Sequence, residues 1–184
     1  LMICSLACTF AIYHELAHAT EYHLILKDRA METIPSSDSR RLSFAKGLEI
    51  QADAAAVVYM TMSLKGFAGF ESEVMAENLL TAITILFAAM DVNRRAFSDY
   101  DDGSYFPPTA RLVSCIDVYR KTLSEEAAEK WMPFASQTVA RITTALDFFA
   151  VKNGSEYPIH SINIPDGHLK HMHEPFFKMM HDLE

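Results

Sequence analysis

Cysteine, positive charge and long apolar runs are all in short supply. Three cysteines in 184 residues, Cys4, Cys8 and Cys115, give no disulfide framework, and a reducing, cytoplasmic setting is the expectation. Cys4 and Cys8 stand four apart, a spacing that a metal pair on one helix face can use. Both lie in an apolar run with no third ligand nearby, so two buried thiols are expected. The 16 Lys and Arg are outnumbered by 24 Asp and Glu, for a formal net charge of −8. A nucleic-acid face needs clustered cations, and the short pairs Arg40-Arg41 and Arg94-Arg95 make no patch. Nucleic acid is therefore excluded as an expected partner.

A bilayer-spanning helix needs about 20 apolar residues. The runs LMICSLACTFAIY at the start and LLTAITILFAAM at 79–90 are both shorter, so no membrane span is expected. The first run has no basic segment before it and meets His14 at once, unlike a signal peptide. Since the chain opens on Leu1 inside an apolar stretch, it is expected to be the C-terminal part of a longer protein. Half of the residues are apolar, enough for a real core at this length.

The periodicity is overwhelmingly helical. It predicts a first helix over 2–26, a second over 43–65, a third over 71–95, a fourth from Pro108 to 122 and a fifth over 125–152. Ser124 is the expected cap of the fifth, and Pro133 a place where it bends. YPIHSINIP gives one short strand near 157–164 or an extended segment, and a last short helix follows, interrupted by Pro175. The expected fold is mainly α with little β. It forms a single domain over 1–184, with a helical core at 1–122 and a helical C-terminal extension at 123–184.

The chemistry-bearing residues begin with AIYHELAHAT at 11–20. On a helix, His14 and His18 project from one face and can offer two imidazoles to one Zn²⁺, while Glu15 lies to the side, where it can take a proton from a metal-bound water. A catalytic zinc usually has three protein ligands. The position ten after His14 is Leu24, which excludes the third histidine of the metzincin pattern. His23, five after His18 on a continuous helix, points away from the pair and is expected at the solvated surface. In GLEIQADAAAVV, Glu49 and Asp53 share a face of an otherwise apolar helix, an arrangement that is costly unless the carboxylates are paired or bound to metal. Glu49 is the candidate third ligand, and Asp53 can accept the outer N–H of His14 or His18.

His14-Glu15-x-x-His18 followed by Glu49-x-x-x-Asp53 resembles the gluzincin metallopeptidases. Glu49-x-x-Ala52-Asp53 is similar to the form seen in HtpX- and CAAX-type proteases and in ImmA/IrrE-like peptidases. The segment from Tyr105 to Leu112, with its Pro107-Pro108 pair and Arg111, is similar to one found in HtpX-like and Lit-type phage-exclusion peptidases, with Phe106 where a histidine often stands. The resemblance covers roughly residues 8 to 115 and is nearest to the Lit-type group. It implies a zincin-like domain with an active-site helix and a ligand helix, binding one Zn²⁺ through His14, His18 and Glu49. Glu15 would be the general base and Asp53 an outer partner of the ligands. The implied function is an intracellular endopeptidase that cleaves a specific protein in defence against phage, with a regulatory partner or activator.

An oxyanion needs a donor beyond the metal; Tyr105, Tyr100, Arg111 and His160 are candidates, and Arg111 can instead pair with Asp101 or Asp102 or hold the Pro-Pro turn. His168, His171, His173 and His181 do not line one helical face and suit a solvated or substrate-contacting tail. Two other functions remain open: a zincin-like regulatory or ligand-sensing module with proteolysis dormant or absent, and a helical bundle without metal.

Overall fold

The computed structural model describes residues 2–66, 72–96 and 108–152, which form six helices and, among the described residues, no strand. These are α1 (Met2–Thr20), α2 (His23–Thr33), α3 (Arg40–Leu64), α4 (Glu73–Ala96), α5 (Pro108–Thr122) and α6 (Glu125–Lys152). The expected strand and last helix lie outside the described residues.

The helix expected over 2–26 is broken in two. Glu21 N–H still closes on Ala17 O (2.9 Å), but Tyr22 then takes a left-handed conformation with φ 55°. For a non-glycine residue that costs about 1–2 kcal/mol. Tertiary bonds hold the junction: Tyr59 of α3 donates its hydroxyl to Glu21 (3.1 Å), and Thr20 turns its own hydroxyl back onto Leu16 O (3.0 Å). Beyond the break, α2 folds onto the start of α3, burying Ala30 and Ile34 against Phe44 and Leu48. Arg41 of α3 donates to the carbonyls of Ile34 and Met31, satisfying the C-terminal end of α2.

The remaining boundaries follow local chemistry. Ser72 and Ser124 accept the N–H groups of Met75 and Ala127 at the starts of α4 and α6. Pro108 opens α5, where its missing N–H is not needed. The helix α6 continues through Pro133.

The core lies where α4 packs against α1, α5 and α6, with α3 closing on α1 and α5. Leu79, Leu80, Ile83 and Phe87 of α4 are all 1 % exposed or less. Phe10 of α1 meets Phe87 edge to face, with ring centroids 5.8 Å apart. The stretch Glu73–Met90, longer than LLTAITILFAAM alone, is long and apolar enough to cross a membrane by length and composition, contrary to the expectation of no span; its Ala76, Leu79, Leu80, Ala82, Ile83 and Phe87 pack in the core. α1 packs closely along α3, and Ala17 of α1 and Ala52 and Ala56 of α3 are fully buried. That approach brings the helix of His14 against the helix of Glu49.

Cys4 and Cys8 are exposed, not buried as expected; Cys115 is buried. The helix α1 is apolar nearly all round, so hydropathy alone does not choose its inner face. Leu6, Phe10 and Ala17 turn inward, and the two thiols fall on the opposite side.

Leu80→Ala is expected to lower the unfolding free energy by about 2–5 kcal/mol, while Ile85→Ala on the exposed side of the same helix changes it by less than about 0.5 kcal/mol. Urea denaturation of the two variants beside wild type measures both.

Candidate metal centre

Four helices contribute to one cluster. Because positions i and i+4 share a helix face, α1 presents His14 and His18 together and α3 presents Glu49 and Asp53. The Nε2 atoms of His14 and His18 are 3.1 Å apart. Glu49 Oε2 is 3.5 Å from His14 Nε2, and its Oε1 is 3.6 Å from His18 Nε2. One ligand atom from each of the three side chains lies within 4.8 Å of the others, close enough for all three to face one cation. This His14–His18–Glu49 group can hold a metal ion.

Behind the ligands lies a buried charge network. Asp53 is fully buried, and Arg111 from α5 grips it through two bonds, Nε to Oδ2 at 2.7 Å and Nη2 to Oδ1 at 2.8 Å. The carboxylate also reaches His14, with Oδ1 2.9 Å from Nδ1 and off the line of a straight N–H···O bond. Of the two histidines open to Asp53 from the sequence, His14 is the one it contacts. Arg111 Nη2 also lies 3.5 Å from Glu49 Oε2, and the guanidinium sits over the Phe87 ring.

These contacts set the charge states. Burial pulls the His14 pKa down, but the close approach of the Asp53 and Glu49 carboxylates and the Asp53 charge outweigh it and raise the value from 6.5 to about 9. Burial pushes Glu49 up, and His14, Arg111 and His18 more than reverse this, so its carboxyl titrates below the usual range. His18 is lowered, chiefly by burial. Cys115, one turn beyond Arg111, is held as a neutral thiol by burial and then by the Asp53 charge. In the metal-free protein the proton on His14 thus supplies positive charge where the ion would otherwise supply it.

A cavity of about 600 Å³ opens over the cluster. Its walls include Phe10 of α1, Leu24 and Lys27 of α2, and Leu86, Phe87 and Met90 of α4. Glu15 is exposed on this cavity, beside the candidate ligands and not among them.

Arg111, a candidate oxyanion donor, is 3 % exposed and engaged with Asp53. Tyr100, Asp101, Asp102, Tyr105 and His160 lie outside the described residues. The correction concerns His23. It is 1 % exposed and lines the cavity, with Nδ1 2.9 Å from His18 Nδ1, because the break at Tyr22 turns it inward. Burial first, then the His18 charge, lowers its pKa to about 4. No glycine or proline marks this break, so periodicity carried the helix past it. No family model, curated protein or solved structure matches the chain.

Two predictions follow from the charge network. Arg111→Met strands the Asp53 carboxylate and is expected to cost about 3–5 kcal/mol, much of it recovered when Asp53→Leu is added; urea denaturation of the single and double variants checks this. In the metal-free protein the raised pKa of His14 contributes stability that is full below pH 6.5 and lost as pH rises through about 9. The lowered pKa of His23 acts at the other end, since the unfolded chain takes up a proton near 6.5 that the folded protein refuses until about 4. Stability of the chelator-treated protein therefore peaks near pH 6.5, and His14→Gln removes the alkaline fall.

Proposed function

We propose that the chain is a zinc-dependent endopeptidase with a zincin-like active site, in which His14, His18 and Glu49 hold one ion and Glu15 is the general base. The observation that carries this reading is the convergence of Glu49, from a separate helix, on both imidazoles of the HELAH stretch, at distances of 3.5 and 3.6 Å. A structural bundle has no need to gather these three side chains, and a binding site has no need of Glu15 beside them.

An ion held there supplies a Lewis acid that polarises the scissile carbonyl and makes a nearby water more acidic. The protein supplies the rest. Glu15 takes the proton from the attacking water and delivers it to the leaving nitrogen as the C–N bond breaks. Asp53 faces the outer nitrogen of His14 and so keeps its Nε2 turned toward Glu49. Arg111 holds the Asp53 carboxylate in place through two bonds. Leu86, Phe87 and Met90 give the cavity an apolar wall, which limits water around the reacting groups and suits side chains of a bound polypeptide.

The motifs further support a Lit-type assignment, a cytoplasmic peptidase that cleaves one specific protein during defence against phage. They are the HELAH and Glu49-x-x-Ala52-Asp53 pair together with Arg111 after the double proline.

Elemental analysis of purified wild type is expected to give about one zinc per chain, clearly reduced in Glu49→Ala. Glu15→Gln is expected to keep the zinc and to lose about 10²–10⁴-fold in cleavage of a peptide library. Absence of metal in wild type after zinc is added back overturns the reading. Cleavage at the wild-type rate by Glu15→Gln removes Glu15 from the reaction, and a cellular effect that survives Glu15→Gln points to a sensing module.

A further inference from the structure

The two histidine ligands have different partners on their outer nitrogens. His14 Nδ1 faces a carboxylate, Asp53. His18 Nδ1 faces another imidazole, with His23 Nδ1 2.9 Å away and the two rings edge to face at 80°. His23 is the first residue of α2, swung into place by the left-handed Tyr22. It is 1 % exposed, and its Nε2 is buried without a hydrogen-bond partner among the described residues.

Two neutral imidazoles at this distance share one proton, so one nitrogen donates and the other accepts. If His23 donates, His18 accepts at Nδ1 and must carry its own proton on Nε2. That N–H then points at His14 and Glu49, and His18 cannot ligate. If His18 donates, its Nε2 presents a lone pair to the cluster, and the proton of His23 sits on the buried Nε2. The direction of this single bond decides whether His18 is usable as a ligand.

We propose that His23 is a positioning residue for the metal centre: it accepts the Nδ1–H of His18 and holds Nε2 of that ring as a lone pair facing His14 and Glu49. This inference rests on the metal-centre reading of His14, His18 and Glu49. His23 is not itself a member of the His14–His18–Glu49 group and acts through His18. It does for His18 what Asp53 does for His14, with a neutral acceptor in place of a charged one, so one of the two ligands is polarised by a carboxylate and the other is only oriented.

The test compares His23→Phe, which fills a similar volume and cannot accept a hydrogen bond, with His23→Asn, whose side-chain oxygen can accept near the place of Nδ1. Zinc affinity is measured by competition with a chromophoric chelator, and Co²⁺-loaded protein is compared by its visible spectrum. Wild type is expected to bind zinc; His23→Phe is expected to bind it about 10–100-fold more weakly, with shifted Co²⁺ bands, and His23→Asn to restore most of both. If the phenylalanine variant does not fold, His23→Leu takes its place. Ring ¹⁵N NMR of zinc-loaded wild type gives a reading free of any substitution, with His18 protonated on Nδ1 and His23 on Nε2. Wild-type affinity and spectrum in His23→Phe, equal loss in the folded Phe and Asn variants, or a proton on His23 Nδ1 each overturns the inference while leaving the metal centre standing. No zinc uptake by wild type overturns both.

Discussion

A carboxylate sealed from water must be neutralised where it stands, and Asp53 is such a carboxylate. An ionised group of this kind costs several kcal/mol to bury unless its charge and lone pairs are met. Arg111 meets them with two charge-assisted bonds, and His14 Nδ1 lies 2.9 Å from Oδ1, the oxygen that also accepts from Arg111 Nη2. Each partner comes from a different helix, so a single buried charge binds α1, α3 and α5 at one depth. The same contact orients the first candidate ligand, and the arginine that satisfies Asp53 also lies beside Glu49, the third.

The rest of the site follows from helix geometry around that point. Pairs at i and i+4 turn His14 with His18, and Glu49 with Asp53, toward a shared seam. Along that seam Ala17, Ala52 and Ala56 are fully buried, and imidazole and carboxylate come within 3.5 Å. Phe87 serves both halves of the molecule, packing edge to face on Phe10 in the core and beneath the Arg111 guanidinium at the site. Stability and ligand placement are therefore not separable along this seam.

The cluster is also balanced in charge. Asp53 and Arg111 offset one another, leaving Glu49 and two imidazoles to meet a cation. Without an ion, the proton that His14 retains up to about pH 9 meets that need. A metal ion at the proposed centre would compete with this proton for the same ring, so its affinity would depend on pH.

Much of this was legible in the residues alone. Helix content, the Ser124 cap and the Pro108 start depend on neighbours a few residues apart, and local periodicity reports them. So do the two i, i+4 pairs, because four residues on one helix fix which side chains share a face. Tertiary structure decided what local spacing cannot encode. It selected the inner face of an all-apolar α1, leaving Cys4 and Cys8 outside. It paired Arg111 with Asp53 across 58 positions of sequence. It also ended α1 at a tyrosine rather than at a glycine or proline: the bond from Tyr59 to Glu21 and the burial of α2 against α3 together outweigh the local preference for continuing the helix. That choice carried His23 from an expected place at the surface to the back of His18. Local spacing put the candidate ligands on shared helix faces, and the groups that face them were set by long-range packing, since a buried charge or proton finds its partner in space and not along the chain.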